Sequence, residues 1–143
     1  MTTAEHTHHR FDVRNVVPGE APGADRADLA GLTTADALEQ IWTATRHDQP
    51  AEFQTWTDEQ GTGLTLFATW CVLAGIHGPD WRSWPARYNH PLSPAVATFT
   101  REHADRVRFH MWCQWVADRQ VAAAGAVPCR DADEWQYQEP VSR

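Results

Sequence analysis

The stretch "GLTLFATWCVLAGIHG", residues 63–78, limits the fold more than any other. Read as a helix, it places Leu64, Phe67, Ala68, Cys71, Val72 and Gly75 on one stripe and Leu66, Trp70 and Leu73 on the other side. A helix apolar nearly all round must be covered on several sides. It falls short of the roughly 20 apolar residues that span a bilayer, and Gly78-Pro79 ends it. The rest of the chain therefore has to wrap it.

The surrounding sequence supplies amphipathic helices. "TTADALEQIWTATR" opens with Thr33 as N-cap and Asp36 three residues on, a capping-box pattern. Leu38, Ile41, Trp42 and Thr45 then share a face. "DQPAEFQTWTDEQG" starts at Pro50, is expected to bury Phe53 and Trp56, and stops at Gly61. An irregular corner follows, "PDWRSWPARYNHPL", in which Pro85 opens a short turn. Ser93 and Pro94 then read as N-cap and first helical residue. The run on to Gly125 is long for one globular helix, so a break is expected near His103–Asp105. Its second part aligns Val107, His110, Met111, Gln114, Trp115, Asp118 and Val121, with Phe109, Trp112 and Val116 beside them, which predicts a central helix. No period-2 alternation or repeat occurs, and the fold class is all-α. The expected organisation is a loose arm over 1–31, a helical region over 32–127, and a polar tail without a helical stripe over 128–143.

At 143 residues the chain makes one domain, and 42% hydrophobic against 22% charged residues is a globular balance. Eight tryptophans, most of them between Trp42 and Trp115, call for an extensive interior. The net charge is −7 and every basic residue is arginine. Such a chain suits neither nucleic acid nor an anionic membrane. The start "MTTAEHTHHR" lacks a signal peptide's apolar segment. Cys71, Cys113 and Cys129 form no even framework and read as reduced thiols of a cytoplasmic protein.

Most candidate chemistry has an ordinary explanation. His110 and Cys113 lie three apart on a helix and Cys71 and His77 six apart, but neither finds the second ligand pair that zinc needs. "HTHH" sits in the arm, and no metal is expected. Cys113 lies mid-helix, away from the helix N-termini and cations that activate thiols. Glu102 and Asp105, among Arg101, Arg106 and Arg108, read as a solvated, salt-bridged helix start. Asp80 has no partner acid. No catalytic residue is assigned. Trp81 and Trp84, beside Asp80 and Arg82, are the candidate substrate-binding residues, because indoles stack on sugar rings. The same pair also reads as a plug between two helices, and composition favours that plug.

Several of these residues together resemble a known family. Phe67-Ala68-Thr69-Trp70-Cys71, His77-Gly78, Asp80-Trp81, Trp84-Pro85, Phe109-His110, Gln114-Trp115 and Gln120 are similar in order and spacing to the 4-α-glucanotransferases, the amylomaltases or disproportionating enzymes of glycoside hydrolase family 77. The resemblance is to the actinobacterial type and covers about residues 51–127. It implies a helical insertion subdomain normally attached to a (β/α)8 barrel, here without the catalytic barrel. It also implies retaining transfer of α-1,4-glucan segments between maltooligosaccharides, with two carboxylates and no cofactor.

After Val127 the sequence departs from the family's Gly-hydrophobic-x-x-Asp-Leu-x-Val-Gly strand, and the segments carrying the catalytic Asp and Glu are not found. The expectation is a truncated relative, inactive alone, that binds α-1,4-glucan at most peripherally and self-associates through exposed apolar surface. The alternative is a non-catalytic helical module that binds glucan or a protein partner.

Overall fold

The structure, a computed structural model, describes Val13, residues 16–120 and residues 130–138. The apolar stretch forms a long helix, Thr62–His77, and most but not all of the other helices pack against it. The described helices are α1 (Thr34–Thr45), α2 (Ala51–Gln60), α3 (Thr62–His77), α4 (Pro94–Glu102), α5 (Ala104–Arg119) and α6 (Arg130–Gln136). Short 3-10 turns at Pro18–Glu20, Arg26–Leu29, Trp81–Ser83 and Ala86–Tyr88 complete the described backbone. No strand occurs among the described residues.

Local chemistry sets the helix ends. Thr33 accepts a hydrogen bond from the Asp36 N–H at 3.1 Å and so starts α1. Ser93 caps α4 through the Val96 N–H, with Pro94 at the first helical position. Gly78 closes α3 at φ 95°, a conformation that L side chains resist. The expected break falls at His103, where φ is −114° and ψ 34°. There the imidazole stacks on Phe99 with ring centroids 3.9 Å apart.

Two cores share α5. The first joins Leu38, Ile41 and Trp42 of α1, Phe53 of α2, and Phe109, Trp112, Cys113 and Val116 of α5. The second joins Ala68, Val72 and Leu73 of α3 to Trp84, Val96, Phe99, Val107 and Trp135. Met111 packs against both. In the first core the indole N–H groups of Trp42 and Trp112 have no hydrogen-bond partner among the described residues. Each orphaned donor costs about 1–3 kcal/mol. Burying an aromatic ring removes roughly 150–250 Å² from water, worth about 4–6 kcal/mol, so burial wins.

Two stretches differ from the sequence reading. Part of the expected loose arm is docked: Val16 and Ala21 are buried in the first core. Gln120 also pairs with the Val17 backbone, accepting from its N–H at 2.8 Å and donating to its carbonyl at 3.0 Å. In the expected polar tail, residues 130–136 are helical and Ala132 and Trp135 are fully buried. Docking against α3 and the corner orders α6, a helix too short to hold by propensity alone. "HTHH" and Cys129 lie outside the described residues.

Candidate functional site

The corner between α3 and α4 holds both candidate sugar-stacking residues. Asp80 starts its first turn, accepting from the Arg82 N–H at 3.1 Å. Trp84 is then carried inward and is only 3% exposed. Its ring packs against Trp70 and Trp135, at centroid distances of 6.5 and 5.9 Å. Its indole N–H donates to the Gly78 carbonyl at 2.7 Å. With rings on two sides and its donor spent, Trp84 has no face for a sugar.

Trp81 is half-buried, and the Arg82 guanidinium lies over its ring, 4.4 Å from the centroid. Arg82 also bridges to Glu134 of α6 at 3.3 Å, which straps the corner from outside. Further bonds lock the segment. Asn89 donates to the Trp81 carbonyl at 2.8 Å, Trp135 to the Tyr88 carbonyl at 3.0 Å, and Gln138 to the Asn89 carbonyl at 2.7 Å. Trp81, Trp84, Asp80 and Arg82 are thus brought together as a bonded joint, one closed by residues 134–138.

The polar groups on α5 are equally structural. Arg106 makes a bidentate pair with Glu39, at 2.9 and 2.6 Å. Arg46 pairs with Asp105 at 3.1 Å. Burial, reinforced by the neighbouring Arg106 charge, lowers His110 to a pKa of about 4, so it is neutral at pH 7. Burial likewise pushes the Cys113 thiol well above its ordinary value, which leaves no thiolate for nucleophilic work. Among the described residues no group of three or more His, Cys, Asp or Glu side chains is placed to hold a metal. No helix among them is long and apolar enough to cross a membrane.

Retaining glycoside chemistry needs an acid held protonated in a sheltered site and a second carboxylate about 5–5.5 Å away. No described Asp or Glu is buried. Glu102 is exposed, and Asp105 is tied to arginine.

A second surface went unnoticed in the sequence. Phe53 of α2 enters the first core as expected, and Trp56 packs partly buried against the same core while its remaining surface faces a groove between α2 and α5. Helical spacing allowed Trp56 to be read as core, because a ring at the margin of an apolar stripe fits either position.

Residues 24–131 match the family described as 4-alpha-glucanotransferase, glycoside hydrolase family 77. The 4-alpha-glucanotransferases of Mycobacterium bovis and of two Mycobacterium tuberculosis strains are each 47% identical over 74 residues. That stretch is 52% of this chain and 10% of each relative, so the match covers about a tenth of the relatives' length.

Proposed function

We propose, from the premise that the chain belongs to the 4-alpha-glucanotransferase family, that its helical region serves α-1,4-glucan transfer as a scaffold and does not itself carry the bond-breaking groups. One observation carries this reading: none of the described carboxylates is buried, whereas the family's retaining chemistry needs a sheltered acid. The corner at residues 77–85 is then the joint that aims α3 at α4. A cytoplasmic location goes with it, in keeping with the buried thiol of Cys113.

The test is maltotriose disproportionation by the purified chain, followed by chromatography of the oligosaccharides. No maltopentaose or glucose is expected. Products that disappear on heating the protein would overturn the reading.

The alternative, a helical module that folds alone, has its own support. Trp42, Trp112 and Trp135 are almost wholly buried within the described residues. A monomer with a sharp, cooperative urea transition is expected on that reading. The competing outcome is self-association through exposed Ile76 and Leu92, seen as concentration-dependent elution in size-exclusion chromatography.

A further inference from the structure

We infer that the groove between α3 and α4 is an interface between two copies of this chain, with Leu92 of each copy seated in the groove of the other.

The groove is a cleft of about 440 Å³. Thr65 and Leu66 of α3 face Val96 and Ala97 of α4 across it, and Pro91 and Leu92 of the preceding loop complete it. Val96 and Pro91 are buried. Leu92 is 75% exposed, more than any other large hydrophobic side chain among the described residues. Its backbone is nevertheless fixed. The Leu92 N–H donates to His90 Nδ1 at 3.1 Å, and the Ser93 N–H donates to the His90 carbonyl at 3.1 Å. Leu92 is therefore a held knob at the lip of an apolar groove, and little freedom is lost when it is covered.

Polar ligands find few groups to recognise there. The Ser93 hydroxyl donates to the Arg87 carbonyl at 2.6 Å, and the Thr100 hydroxyl is bonded to that of Thr69 at 2.8 Å. No charged side chain among the described residues lines the groove. A sugar, an ion or a nucleotide would lose water without gaining partners. An aliphatic side chain loses nothing and fits.

Charge selects a second copy as its source. The chain carries a net charge of −7, so two copies repel over most of their surface. They meet at least cost where no charge lies, which is the α3/α4 groove. The α2/α5 groove fails this test, because Glu52, Glu59 and Asp118 would face their own kind. Knob and groove also share one small surface, so it complements itself. About a two-fold axis, Leu92 of one copy enters the other's groove and the reverse contact follows. An interface this small is weak, with Kd on the order of 100 μM.

The test is sedimentation equilibrium of the full chain from about 10 μM to about 1 mM. The mean mass is expected to rise from one chain toward two. Added salt should strengthen the association several-fold, because it screens the repulsion between like-charged copies. Leu92→Ala should weaken it about tenfold. Leu92→Asp and Ala97→Glu, both at exposed positions and so compatible with the fold, should each abolish it. Ile76→Asp, at the far end of α3, should leave it unchanged. A single-chain mass at every concentration overturns the inference. So does association that survives both Leu92→Asp and Ala97→Glu, that is lost only in Ile76→Asp, or that grows past two chains. None of these results bears on the scaffold reading, which fails only if the chain turns over maltotriose.

Discussion

The corner at residues 77–85 and the α2/α5 groove both present tryptophan beside carboxylates and an arginine, yet they spend those groups differently. At the corner, Trp84 is enclosed by Trp70 and Trp135, its N–H is bonded to Gly78, and Arg82 is strapped to Glu134. In the groove, Trp56 is partly buried against the first core, and Glu52, Glu59 and Asp118 form no ion pair among the described residues. The same side-chain types make a joint where most of their bonding capacity is used internally, the buried Trp81 N–H being left without a partner among the described residues, and an open surface where it is left over. Residue type alone therefore does not identify a sugar site.

Substitutions sharpen this contrast, and the largest effect falls on the corner. Trp135→Ala removes a fully buried ring and a hydrogen bond to Tyr88. It should destabilise the chain by about 3–5 kcal/mol in urea titration. A cost as small as that of a surface substitution would show that α6 does not close the corner.

Acid acts next, on the shared helix. The folded-state pKa of His110 is held at about 4, below the ordinary 6.5. Its contribution to stability is complete above about pH 6.5 and is lost as pH falls toward 4, because the unfolded chain takes up the proton first. Over that window the loss amounts to about 3 kcal/mol. His110→Gln should flatten that part of the stability–pH curve, and an unchanged slope would place the titration elsewhere.

Trp56→Ala, at a position partly buried against the first core, should cost about 2–3 kcal/mol, less than Trp135→Ala. A stability loss as large as that of Trp135→Ala would make Trp56 a core residue and erase the contrast. Gly78→Ala tests the corner's backbone. An added Cβ meets nothing within 4 Å, so the cost comes from φ 95° alone. About 1–2 kcal/mol is expected.

Much of the fold was legible because short-range chemistry decides it. Thr33 and Asp36, Ser93 and Pro94, Gly78, and the break at His103 all act within a few residues of themselves. The helix α6 was not legible. "RDADEWQ" offers only Ala132 and Trp135 to a core, three residues apart, and no stripe arises from seven residues. Its partners, Tyr88 and Gly63, lie 47 and 73 residues away in sequence. The docking of Val16 and Ala21 was not legible for the same reason, since they flank the short 3-10 turn Pro18–Glu20, which carries no period.

At the site, the sequence drew attention to Trp81 and Trp84 because they lie three apart in the chain beside Asp80 and Arg82. The groove residues are split between helices more than fifty positions apart and meet only after folding.

Hydrogen exchange of the assigned indole N–H groups, followed by NMR, tests the central contrast most directly. The Trp84 and Trp135 protons, bonded to backbone carbonyls inside the second core, should exchange only on global unfolding, while the Trp56 proton exchanges rapidly. Rapid exchange at Trp84, with slow exchange at Trp56, would reverse the roles assigned to the corner and the groove.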